Sequence, residues 1–144
     1  MLLLLFVGCG DGRQFSQTEM VEGLVTLDGV PVEGAEIMFF PLSDEIGEGA
    51  TGTSDSQGRY RLSSVRGAPG RGVPTGEYGV TVSKRVITEL PEPIFNPADD
   101  SFERFRIEER IPSVYHEIHS TPLRATVVTG HNTIDLELHS ATRP

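Results

Sequence analysis

From Met20 onward, apolar and polar residues alternate in short runs broken by turn-forming residues about every ten positions, the pattern of an all-β chain. Val21, Gly23, Val25 and Leu27 fall on one face of a first strand, with Glu22, Thr26 and Asp28 on the other. Asp28-Gly29 follows, a hairpin signal because both central residues of that two-residue turn need positive φ. Ala35, Ile37 and Phe39 then face one way and Glu36 and Met38 the other. Pro41 ends that run, since it cannot donate to a ladder. Residues 43–49 read as an acidic loop and 50–54 as a weak strand of small residues. In Asp55-Ser56-Gln57-Gly58, the Asp55 carboxylate is placed to accept from backbone N–H groups and Gly58 to turn left-handed. Tyr60 and Leu62 point inward on the next strand, and residues 67–72 form a loop rich in Gly, Pro and Arg.

Pro74-Thr75-Gly76-Glu77-Tyr78 is a turn built around Gly76 that leads into Val80 and Val82, a period-two strand. A tyrosine just inside such a strand can bond its hydroxyl back to the backbone, as in the tyrosine corner of sandwiches, and Tyr78 is so placed. Two last strands are expected over residues 123–128 and 133–139, with Ile134, Leu136 and Leu138 inward. No long amphipathic helix is visible. The total is seven strands, an antiparallel two-sheet sandwich by count and spacing.

Three segments carry a family resemblance: Glu22-Gly23-Leu24-Val25-Thr26-Leu27-Asp28-Gly29-Val30-Pro31-Val32-Glu33-Gly34-Ala35, Thr53-Ser54-Asp55-Ser56-Gln57-Gly58-Arg59-Tyr60, and Pro74-Thr75-Gly76-Glu77-Tyr78-Gly79-Val80-Thr81-Val82. Together with Ile111-Pro112-Ser113-Val114-Tyr115 and Thr129-Gly130-His131-Asn132, they resemble the carboxypeptidase regulatory-like, transthyretin-like domain in its bacterial lipoprotein version. The resemblance covers residues 20–139, with 140–144 as a tail. It implies a seven-stranded antiparallel Greek-key β-sandwich of the transthyretin or prealbumin type. The matching residues form turns and core, so the resemblance implies a fold and no activity.

Residues 85–122 interrupt the pattern, a long loop excursion before the last two strands. A connection of that length inside a compact domain is functional or disordered. Residues 86–110 hold seven acids and three arginines, and Leu90-Pro91-Glu92-Pro93 and Asn96-Pro97 favour an extended path. Asp100-x-x-Glu103 predicts a short helix through Arg110, a capping-box variant. Its Phe102 and Phe105 would share a face and dock on the sandwich. Phe102, Phe105, Tyr115 and His116 are the candidate interaction loop.

The front of the chain changes the picture of where the protein sits. Residues 2–7 form an apolar run far short of the roughly 20 residues needed to span a bilayer, but suited to a secretory leader. Phe6-Val7-Gly8-Cys9 resembles the lipobox of bacterial lipoproteins, in which the cysteine thiol is acylated and the chain is cut just before it. Phe6 stands where that family carries Leu, and no basic residue precedes the run. Residues 1–8 therefore read as a signal-peptide remnant behind a start placed too far downstream. Residues 9–19 read as a lipidated Cys9 and a polar tether. The implied location is the bacterial cell envelope, with the membrane held through the lipid anchor.

Charge and composition narrow the function. A net charge of −9 argues against nucleic acid, whose phosphates call for a basic face. A single cysteine excludes an internal disulfide framework. His116 and His119 stand three apart, where a zincin helix places its histidines four apart with a third ligand, so neither metal nor cofactor is expected. Lys84, the only lysine, and Asn132 invite comparison with surface domains that join such a pair covalently; an exposed strand-end lysine is the plainer reading. The Tyr-Arg-Gly-Ser tail of the transthyretin-like hydrolase family is missing, as are a Gly-x-Ser-x-Gly elbow and a phosphate-binding Gly-Lys loop. The expectation is a non-enzymatic, lipid-anchored envelope protein, a structural or protein-interaction module with an envelope protein as partner. The alternative is a small-ligand or glycan-binding sandwich or a remnant hydrolase.

Overall fold

A computed structural model describes residues 18–67 and 71–140. The chain forms β1 (Thr18–Leu27), β2 (Val30–Pro31), β3 (Glu36–Pro41), β4 (Ala50–Thr53), β5 (Arg59–Arg61), β6 (Ser63–Ser64), β7 (Val73–Pro74) and β8 (Gly76–Ser83). These are followed by β9 (Arg85–Asn96), β10 (Ser101–Glu109), a single 3-10 turn at Ser113–Tyr115, β11 (Arg124–Val127), β12 (His131–Thr133) and β13 (Leu136–Leu138). The architecture is all-β, in two principal sheets and one separate ribbon.

One sheet is organised around β1, which pairs with β2, β5 and β7 antiparallel and with β12 and β13 in parallel. The other runs β11-β8-β3-β4-β6, antiparallel throughout. Alternation does the sorting. Val21 and Val25 of β1, Ile37 and Phe39 of β3, and Val80 and Val82 of β8 are buried in one shared core with Tyr60, Leu62, Leu136 and Leu138, while Glu36 and Met38 point outward.

The turns form where their residues require them. Asp28 and Gly29 have φ of 50° and 81°, the left-handed pair of the hairpin between β1 and β2. Asp55 Oδ1 accepts from the Gln57 and Arg59 N–H groups at 2.9 Å each, and Gly58 closes that turn with φ 78°. Gly76 opens β8, just past β7, at φ 145°. The Tyr78 hydroxyl donates to the Pro74 carbonyl at 2.8 Å, the tyrosine-corner bond. Burial, with Glu48 nearby, pushes the Tyr78 phenol up to about 12.

Asp28 has a second task. Its carboxylate accepts from both the hydroxyl and the backbone N–H of Ser140, tying the first hairpin to the end of the described chain. The hydroxyl bond is the larger cause holding its carboxyl below the ordinary value. A lowered folded value means that the contribution is present above pH 3.8, the ordinary aspartate value, and fades as pH falls through the folded one. In thermal melts between pH 6 and 2, Asp28→Asn is therefore expected to show a shallower loss of Tm on acidification than the parent. Equal slopes would remove this role.

The structure corrects three expectations. The last strand, expected unbroken over 133–139, is divided into β12 and β13 at Ile134-Asp135. There the chain bends over β1: Ile134 donates its N–H to the Glu22 carbonyl at 2.8 Å, and the Asp135 side chain, in place of a backbone carbonyl, accepts from the Leu24 N–H at 3.0 Å. The pairing of this strand with β1 is parallel, so the first sheet is mixed. Finally, the helix expected from Asp100 through Arg110 is absent, and residues 85–109, expected as a loop excursion, form a β-ribbon.

Candidate interaction surface

The ribbon grows out of the end of β8. Arg85–Asn96 and Ser101–Glu109 pair antiparallel, with Ile87 opposite Ile107, Glu89 opposite Phe105 and Phe95 opposite Phe102. Alternation of Phe105 and Ile107 with Arg104 and Arg106 is a strand period, and it prevails over the capping-box signal at Asp100-x-x-Glu103. Beta-branched and aromatic residues at 86–88, 105 and 107 suit a pleated surface. The turn at residues 97–100 is closed by its own side chains. Asn96 Oδ1 accepts from the Ala98 N–H, Asp99 Oδ1 accepts from the Ser101 N–H and hydroxyl, and Asp100 takes φ 55°. Pro91 and Pro93 lie where the register slips, between the Ile94–Glu103 and Glu89–Phe105 pairs.

Glu109 anchors the ribbon at its root. Its Oε1 accepts from the Lys84 N–H at 2.6 Å and the Ile111 N–H at 3.2 Å. Its Oε2 lies 4.0 Å from Arg85 Nε. His116 Nε2 stands 3.6 Å from the same carboxylate and 2.7 Å from the Ile111 carbonyl oxygen. The Arg110 N–H donates to the Lys84 carbonyl at 2.9 Å. One carboxylate thus joins both ends of the ribbon to the short turn that follows it.

Beyond this root the ribbon leaves the protein body. No residue between Lys84 and Arg110 belongs to the described core. Six large apolar side chains are instead exposed: Ile87, Ile94, Phe95, Phe102, Phe105 and Ile107, with Phe102 and Ile107 at 63% and 64%. Phe95 and Phe102 pack on each other at a centroid separation of 5.2 Å. The expected docking of Phe102 and Phe105 on the sandwich does not occur, because on a strand that projects from the sheets they have no sheet to meet.

The chain matches no protein-family model, no curated protein and no solved structure.

The remaining candidate residues divide by location. Tyr115, expected on the interaction loop, is buried at 5% exposure and takes the His139 N–H on its hydroxyl at 3.0 Å, a core contact rather than a surface one. His116 is half-buried at the ribbon root and His119 is exposed. Among the described residues, no three His, Cys, Asp or Glu side chains are grouped to hold a metal. Asn132 is engaged by the backbone: Nδ2 donates to the Met20, Val128 and Gly130 carbonyls, and Oδ1 accepts from the Val128 N–H. That amide organises the β11–β12 loop. Lys84 lines an open cleft of about 600 Å³ with Val30, Val32, Val86, Arg110 and Ile111, beside the ribbon root. Cys9 lies outside the described residues. Ile87, Ile94, Phe95, Ile107 and Glu109 were not among the candidates from the sequence. Their signal, the alternation on both sides of Asn96-Pro97, was obscured by the three nearby prolines.

Proposed function

We propose that this chain is a non-enzymatic interaction module of the bacterial cell envelope, anchored by lipid at Cys9, whose docking surface is the β9–β10 ribbon. One observation carries the reading. The ribbon gives no residue to the described core, yet presents six large apolar side chains to solvent. Isolated two-stranded ribbons are marginal in water, and exposed apolar patches of this kind accompany binding sites. The two sheets are read as a Greek-key, transthyretin-like sandwich, supported by its turn signals at Asp28-Gly29, Asp55-Gly58 and Gly76-Tyr78. The anchor is supported by the lipobox-like segment ending at Cys9.

The test replaces residues 87–107 with a short Gly-Ser turn and compares in-envelope cross-linking of the two proteins, alongside detergent-phase partitioning of Cys9→Ser. Loss of the cross-linked species with the ribbon, and loss of partitioning with the thiol, is the expected pair of results. Cross-links unchanged by ribbon removal would move the docking surface elsewhere. Saturable stabilisation by an envelope glycan that survives ribbon removal would favour a ligand-binding sandwich.

A further inference from the structure

We propose that the ribbon's partner is a second copy of this chain, joined edge to edge along β10 into a four-stranded antiparallel sheet. The inference rests on the reading of the ribbon as the docking surface and names what docks there. The two edges of the ribbon differ. β9 carries Pro91 and Pro93, which cannot donate and so blunt its edge. β10 contains neither proline nor glycine over nine residues.

The hydrogen-bond phase follows from the root. Because the Arg110 N–H donates to the Lys84 carbonyl, alternation turns the backbone groups of Glu108 and Arg106 toward β9. It turns those of Phe105, Ile107 and Glu109 outward, along the free edge. A strand laid there meets an unpaired row of donors and acceptors.

Side-chain order favours a copy of β10 itself. The segment reads Arg104-Phe105-Arg106-Ile107-Glu108. Paired antiparallel with itself about Arg106, it places Phe105 opposite Ile107 and Arg104 opposite Glu108, each twice by symmetry. Arg106 faces its symmetry mate as a like-charge pair, with Arg104 and Glu108 of the other copy on its two diagonals, and Glu108 also meets Arg110 of its own chain at 2.7 Å. Glu103 falls opposite Glu109, whose carboxylate is held at the ribbon root by the Lys84 and Ile111 N–H groups. Apolar and opposite-charge cross-strand pairs each add up to about 1 kcal/mol. An edge of this size predicts association in the micromolar range, not an obligate dimer.

Sedimentation of the full chain over a concentration series, under reducing conditions so that Cys9 cannot link two copies, reads the outcome. The 15.7 kDa chain is expected to convert to a dimer, Glu108→Arg to weaken that conversion at least tenfold, and the swap Arg104→Glu with Glu108→Arg to restore it. A chain that stays monomeric to millimolar concentration, or a swap that fails to rescue, overturns the self-pairing. A photo-cross-linker at position 107 separates the two readings in the envelope. A homodimer supports the inference. A cross-link only to a different protein or to lipid overturns it while leaving the ribbon as the docking surface. No cross-link at all overturns both.

Discussion

Gly23→Val is expected to destabilise the chain by about 5 kcal/mol, the exceptional end of single substitutions, and so to remove a third or more of an ordinary domain's stability. The reason is the crossing of β1 by the bend at Ile134-Asp135. A Cβ at Gly23 would lie 1.9 Å from the Ile134 carbonyl oxygen and 2.6 Å from its carbon, with the Tyr60 ring at 3.0 Å. The obstacles are backbone and a buried ring, so neither neighbour yields cheaply. The same Ile134 carbonyl accepts from the Tyr60 hydroxyl at 2.5 Å, so moving it also breaks the bond that satisfies a buried phenol. Burial, with Asp135 close by, already pushes that phenol well above its ordinary value. Urea denaturation followed by circular dichroism reads the shift in midpoint. A midpoint within experimental scatter of the parent would show that the crossing is not tight.

Phe39→Ala is expected to cost roughly 3–5 kcal/mol, the lost transfer energy of the ring plus the cavity left behind. Phe39 is 1% exposed and sits on β3, between β4 and β8. Its ring lies 5.7 Å, centroid to centroid, from that of Tyr78, so truncation also withdraws a neighbour from the tyrosine corner. Met38 is the control: the next residue along β3 points outward, and Met38→Ala is expected to change stability by less than about 1 kcal/mol. Comparable losses at the two positions would mean that β3 does not present alternate residues to core and solvent.

How far the sequence disclosed this architecture depends on whether a signal was local. The Asp28-Gly29 hairpin, the Asp55 turn, the Tyr78 corner and the inward positions of β1, β3, β5 and β8 each follow from a few adjacent residues, and each stands where it was expected. The parallel pairing of β1 with β12 and β13 depends on partners more than a hundred residues apart, and no local pattern records it. The split of the final strand, where the Ile134 N–H meets the Glu22 carbonyl and Asp135 takes the Leu24 N–H, is equally invisible along the chain. The ribbon is hidden in the sequence for a different reason. Prolines and acids give residues 85–109 the composition of a solvated loop, and its apolar residues, which face solvent, have no core to be assigned to. Tyr115, expected on the interaction loop, instead belongs to the core with Ile111, and its hydroxyl accepts the His139 N–H.

Unfolding of the chain in which a Gly-Ser turn replaces residues 87–107 tests most directly whether the ribbon serves contact rather than stability. The root, with Glu109, Arg110 and the Lys84 carbonyl, is retained in that variant, and every described core residue is untouched. The account predicts a cooperative transition with a midpoint within a few degrees of the parent. A transition that broadens or collapses would make the ribbon a structural strap of the sandwich and contradict it.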